Sequence, residues 1–216
     1  MIDAVLFDLD GTLADTAADL GAALNRLRIE AGIEPLPLET IRCHVSSGVR
    51  GMLKVGFSLF PGDEPYAGLY QRFLSYYGEA VCVDTALYEG ISELLDSLEG
   101  SGIRWGVVTN KTSRFTLPLL EELGLSYRAA CTVSGDSAPR PKPAPDPLLL
   151  ACAILGMAPQ RCLYVGDDLR DVEAGRAAGM GTVVAAWGYL GDGKPLEEWG
   201  ADTIIQSPAD VLGLLR

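Results

Sequence analysis

Positive charge is scarce in this chain. Its 216 residues hold 17 lysines and arginines against 29 aspartates and glutamates, with one histidine and a formal net charge of −12. A general nucleic-acid binder needs a basic face, so that function class is excluded. An anionic small molecule is not, because a bound divalent cation inverts the local field. The five cysteines (Cys43, Cys82, Cys131, Cys152 and Cys162) are scattered, and none belongs to a CxxC pair. That argues against a disulfide framework or a structural zinc site and fits a reducing compartment. No apolar run approaches the roughly 18 residues that cross a bilayer, and no basic segment followed by an apolar stretch opens the chain. The expectation is a soluble, cytoplasmic protein without membrane or nucleic-acid partners, as a monomer or a homodimer.

What is present is a large apolar fraction, 48%, with only 21% charged residues, enough for a real core and too apolar for global disorder. From about residue 84 onward, short β-branched runs alternate with helical patterns. The runs are 105–109, 131–133, 162–166, 182–186 and 203–205, and residues 4–7 supply one more near the start. Helical spacing covers 90–99, 113–123, 146–156, 170–178 and 208–215. Apolar strands alternating with helices predict a parallel sheet covered on both faces.

Residues 15–83 break that rhythm. Leu20, Leu24, Leu27 and Ala31 recur at helical spacing, as do Tyr66, Leu69, Phe73 and Tyr77; Val49, Leu53, Phe57 and Phe60 suggest a further helix. No strand is expected among them. The predicted organisation is an α/β sheet unit made of 1–14 and 84–216, with an all-helical insertion over 15–83.

Unusual polar groups sit where strands should end. In "VLFDLDGTLADT" (5–16), Asp8 and Asp10 follow an apolar run; Thr109 and Asn110 close "WGVVTN"; Lys142 lies in "RPKPAPDP"; Asp167, Asp168 and Asp171 follow "CLYVG". Ligands of open α/β sheets bind outside the carboxyl ends of strands. Taken singly, each cluster has an ordinary explanation: a turn or cap for the acids, a strand-end threonine, a solvated lysine, an acidic first turn of a helix. Together, an acid pair, a hydroxyl, a lysine and a second acid group in this order point to one pocket.

"DLDGTL", "VTN", "KPAPDP" and "VGDD…D" resemble the motifs of the haloacid dehalogenase superfamily in its phosphatase branch, and the likeness covers essentially the whole chain. It implies a Rossmann-like core, an inserted helical cap of the C1 type, Mg2+ and an aspartyl-phosphate intermediate. By that resemblance Asp8 is the nucleophile and Asp10 the general acid and base. Splitting ester hydrolysis into two displacements is what covalent catalysis supplies. The side chains of Asp8 and Asp167 and the backbone carbonyl of Asp10 would hold the metal, with Asp171 behind them orienting Lys142 or a metal-bound water. Thr109 and Lys142 would hold phosphoryl oxygens, helped by backbone N–H groups from Thr109 to Asn110 and near Leu9. Asp168 fits either an exposed acid or a helix cap.

The cap is less informative. Ser46, Ser47 and Gly48 in "HVSSGVRGML" can present donors to a substrate, and Arg50 can either pair with a carboxylate or lie on a solvated helix face. His44 is expected to pack or face solvent, and Tyr189 and Trp199 to pack. Lys111 and Arg114 can face the leaving group. Within the superfamily the chain resembles phosphoglycolate phosphatases and, more narrowly, "WGVVTNK", "GDDLRD" and "WGAD" look like the N-acetylmuramic acid 6-phosphate phosphatase branch, which implies a small phosphomonoester bearing a carboxylate. A phosphosugar mutase of the same fold, or a phosphoester-binding protein without catalysis, are the alternatives.

Overall fold

A computed structural model describes residues 2–191 and 193–215. The chain begins with β1 (Ala4–Phe7) and a two-residue strand β2 (Ala14–Asp15). It then runs through α1 (Ala17–Glu30), α2 (Leu38–Arg42), α3 (Gly48–Phe57) and α4 (Tyr66–Glu79). A second two-residue strand, β3 (Ala86–Leu87), pairs antiparallel with β2. After it come α5 (Ile91–Gly100), β4 (Arg104–Val108), α6 (Ser113–Glu122), β5 (Thr132–Val133) and α7 (Asp146–Leu155). The series closes with β6 (Cys162–Gly166), α8 (Leu169–Ala178), β7 (Gly181–Ala185) and β8 (Thr203–Ile205).

Six of the strands form one sheet in the order β5-β4-β1-β6-β7-β8, with every pair parallel. This is the parallel sheet that the alternating pattern predicts and the Rossmann-like α/β core that the resemblance implies. Side-chain alternation explains why its strands read as continuous apolar runs. Val5, Phe7, Trp105, Val107, Leu163 and Val165 feed one apolar cluster, whereas Ala4, Leu6, Val108, Cys162 and Tyr164 feed the cluster on the opposite face. The thiols of Cys131, Cys152 and Cys162 are free and buried, where they act as small apolar groups. Strand order reverses around β1, with β4 on one side and β6 on the other, and the site lies at their carboxyl ends.

The helices α1 to α4 share their own apolar cluster, including Leu24, Leu27, Met52, Leu53, Phe73 and Tyr77. Three local expectations are corrected. Asp15 belongs to a strand, part of a ribbon too short for an alternating pattern to reveal. Phe60 is not on α3: the helix stops at Phe57 because Ser58 turns left-handed (φ 56°), leaving Phe60 exposed. The segment Pro208–Leu214 is a 3-10 helix rather than an α-helix. Its buried positions, Pro208 and Val211, are three apart, matching three residues per turn.

The loop after β1 is pinned by its glycine. Gly11 has φ 86°, and a Cβ there would lie 2.2 Å from an Asp167 carboxylate oxygen. The tight turn and the close approach of the two loops each require glycine. Where the chain leaves and re-enters the sheet, Asp19 in the first turn of α1 is buried. It accepts hydrogen bonds from the backbone N–H groups of Val83 and Thr85, both at 3.0 Å. The Asp84 N–H (3.0 Å) and the Thr85 hydroxyl (2.6 Å) bond to the same carboxylate. One carboxylate thereby ties both connections together.

Candidate active site

The sheet delivers Asp8, Thr109 and Asp167 to one end, each just past the last residue of β1, β4 and β6. Lys142 comes from the loop before α7 and is 4% exposed. Its ammonium meets Asp8 at 3.0 Å and Asp171 at 2.7 Å. It also donates to the Tyr164 hydroxyl at 2.7 Å and to the Val108 carbonyl at 3.2 Å. Burial works to lower the Lys142 pKa, but the two carboxylates outweigh it and keep the group charged. Asp171 thus orients Lys142, and its other oxygen accepts the Asp168 N–H at 3.1 Å.

Asp8, Asp167 and Asp171 each place a carboxylate oxygen within 4.8 Å of the others. Asp167 is fully buried and accepts from neutral donors, the Thr12 hydroxyl and the Tyr189 N–H, both at 2.9 Å. Burial first, then the charges of Asp8 and Asp171, push its pKa well above the ordinary carboxylate value. Burial also pushes Asp8 up to about 6, against the pull of Lys142. Lys142 is the cation bonded to this acid group, which leaves an excess of buried negative charge. All-oxygen donors with excess negative charge suit a hard divalent cation.

Asp10 stands apart from that cluster. It accepts from the Thr16 hydroxyl at 2.6 Å and pairs with Lys111 at 2.7 Å. Thr109 is buried, and its hydroxyl oxygen accepts the Lys111 N–H at 3.1 Å, leaving its O–H free to donate. Two of the expected backbone donors are otherwise engaged: the Thr109 N–H bonds the Val133 carbonyl at 2.9 Å and the Leu9 N–H bonds the Asp8 carboxylate at 2.8 Å. The Asn110 side chain bonds both backbone groups of Lys142, at 3.0 and 2.9 Å, so it shapes the lysine loop.

A cleft of about 550 Å³ separates the sheet end from the helices, with Asp8, Asp10, Thr109 and Lys142 on one wall and Ser47 and Arg50 on the other. Gly48 also lines it, and Ser47, Gly48 and Arg50 are exposed. Lys111 faces this cleft, whereas Arg114 borders a separate hollow beside Glu79 and Cys82. His44 is half-buried and does not line the cleft, and Trp199 is buried against Val172 and Val184.

Of the two readings open for Asp168, the helix cap is the one found, and other contributors lie outside the sequence expectations. Asp168 caps α8 and also grips Arg170, at 2.7 and 2.9 Å. Arg170 in turn donates to the Ser46 carbonyl, joining α8 to the helical segment across the cleft. Tyr189 is more than a packing residue: its N–H holds Asp167, and its hydroxyl contacts Thr16 N–H at 2.7 Å and Asp15 at 3.0 Å. Thr12 and Thr16 stand inside the opening motif and were readable as polar there. Tyr164 and Tyr77 carried no sequence signal beyond apolar periodicity.

The haloacid dehalogenase-like hydrolase family model matches residues 5–185. The chain belongs to that family. It is 42% identical over 214 residues to the N-acetylmuramic acid 6-phosphate phosphatase of Pseudomonas aeruginosa, covering 99% of this chain and 95% of that one. It is 43% identical over 206 residues to a phosphoglycolate phosphatase of Xanthomonas campestris, covering 95% and 92%. A crystal structure of a predicted phosphoglycolate phosphatase from Haemophilus somnus superposes with a TM-score of 0.88 at 26% identity, covering 100% and 98%.

Proposed function

We propose that this hydrolase is a magnesium-dependent phosphomonoesterase acting on a small carboxylate-bearing phosphoester. The observation that carries this is the separation of two carboxylates into different partnerships. Asp8 lies with Lys142 in the buried acid cluster, and Asp10 lies with Lys111 and Thr16 on the cleft side. Asp8 attacks phosphorus and the ester P–O bond breaks, while Asp10 gives its proton to the departing alcohol oxygen. Asp10 then takes a proton from water, whose oxygen attacks the phosphorus of the Asp8 phosphate and frees inorganic phosphate. Lys142 and the Thr109 hydroxyl neutralise and position the phosphoryl oxygens, which is most of what this reaction asks of a protein.

Asp8, Asp167 and the Asp10 carbonyl would hold the magnesium. When bound, it supplies charge neutralisation at the phosphoryl group. The segment 15–83 serves as a cap that closes over the phosphate, with the Ser47–Arg50 stretch as its substrate-facing rim. Arg50 stands where a carboxylate remote from the phosphate can reach it.

The leading substrates are N-acetylmuramic acid 6-phosphate and 2-phosphoglycolate. A cleft of about 550 Å³ has room for either. Steady-state phosphate release from both compounds, and from sugar phosphates lacking a carboxylate, tests this reading in magnesium and after chelation. Magnesium-dependent release with a preference for the carboxylate-bearing esters is expected. Isomer formation without phosphate release would assign a mutase instead.

A further inference from the structure

Two buried polar groups in the cleft have no role in the steps above. The Lys111 side chain is 8% exposed, and its ammonium bonds Asp10 while resting on the face of Tyr77, 4.8 Å from the ring centroid. An ammonium has three N–H donors, and Asp10 is its acidic partner among the described residues. Tyr77, from α4, is 2% exposed, yet its hydroxyl has no hydrogen-bond partner among the described residues. A buried hydroxyl left unpaired is costly and asks for an explanation. Phe115 packs beside it, with ring centroids 5.2 Å apart, so the surroundings are apolar and a bond formed there is strengthened.

The position defines the ligand. Lys111 follows the Thr109 turn and Tyr77 descends from the helical side, so the two approach the cleft from opposite walls. Lys111 bonds Asp10, the carboxylate assigned to the leaving oxygen, and Tyr77 lines the same cleft. Both can donate a hydrogen bond, so the partner they await is an acceptor. We propose that Lys111 and Tyr77 form a leaving-group subsite that binds an acceptor oxygen, best a carboxylate, carried one or two bonds from the ester carbon. The subsite reads the part of the alcohol nearest the phosphate, while exposed Arg50 reads what lies further out. A neutral alcohol without such an oxygen leaves the pair unsatisfied, and that mismatch is the source of selectivity. This inference rests on the phosphomonoesterase reading for its orientation.

The test compares kcat/KM for 2-phosphoglycolate, which carries the oxygen, with that for phenyl phosphate, which does not. The selectivity ratio is expected to fall about tenfold in Tyr77→Phe and about a hundredfold in Lys111→Met, with Lys111→Arg recovering part of it. Glycolate, the alcohol released from 2-phosphoglycolate, is titrated calorimetrically into the same folded proteins and should bind about tenfold more weakly to each of the two deleting variants. An unchanged ratio in both, or equal losses on both esters, overturns the subsite. If the wild-type protein releases phosphate from neither ester, the phosphomonoesterase reading fails. Glycolate binding then judges the subsite alone: equal affinity in wild type and variants overturns it, and weaker binding in the variants supports it.

Discussion

The sheet end and the helical wall of the cleft treat polar groups in opposite ways. On the sheet side, Lys142 donates to the Asp171 carboxylate, a phenol and a carbonyl and pairs in charge with Asp8, and Asp167 is held by Thr12 and Tyr189. On the helical side, the Ser46 and Tyr77 hydroxyls have no partner among the described residues, and Arg50 is exposed. Chemistry that is the same for every substrate gains from groups fixed in advance, because positioning then costs nothing during the reaction. Recognition of one particular substrate gains from groups whose hydrogen bonds are completed only when that substrate arrives.

The largest effect should come from striking the fixed side at its centre. Asp8→Asn is expected to lower phosphate release more than about a thousandfold, since no covalent intermediate can form. Its circular dichroism should match wild type; a variant that retains turnover would break the contrast at its root. Asp10→Asn comes next, with a loss of about 10²- to 10⁴-fold on alkyl phosphates. Measured as kcat/KM, which reports the first displacement, the loss should shrink on p-nitrophenyl phosphate, whose leaving group needs no proton, and an equal kcat/KM loss on both would remove Asp10 from the acid role.

A stability measurement sharpens the comparison at the join between the two regions. Asp19→Ala leaves the N–H groups of residues 83–85 without their acceptor and should cost about 3 kcal/mol in urea unfolding. A change within about 0.5 kcal/mol would mean that the connections are held by other means. The smallest effect is expected at the bridge across the cleft. Arg170→Ala removes the link from Asp168 to the Ser46 carbonyl and should raise KM several-fold while kcat changes less than twofold. A drop in kcat alone would place Arg170 with the fixed chemistry instead.

Much of the sheet side was legible because each of its residues answers to a local rule. A β-branched run followed by a polar cluster marks a strand and its carboxyl end, and Asp8, Thr109 and Asp167 all stand there. Lys142 was readable by its motif and its order in the chain. Asn110 was assigned to the right loop, but its side chain turned out to hold the Lys142 backbone, a pairing across 32 residues that no spacing reveals. The helical side was legible as helices and hardly at all as a site. Tyr77 reads as one more apolar position at helical spacing, and only packing shows that its hydroxyl ends in the cleft. Asp19 reads as an ordinary acidic residue in a first helical turn, and its partners lie 64 to 66 residues away.

The alternation of sheet strands and helices, the covering of the sheet on both faces and the gathering of polar motifs at strand ends were legible in the sequence alone. They depend on periodicity and on motifs at strand ends, which are properties of short stretches. Tertiary structure decided which groups share an environment. It sent Asp8 to Lys142 and Asp10 to Lys111, brought Arg170 to the Ser46 carbonyl, and left the Tyr77 hydroxyl without a partner among the described residues. Burial and charge pairing depend on neighbours distant in the chain, and those neighbours exist only once the sheet and the helices have closed around the cleft.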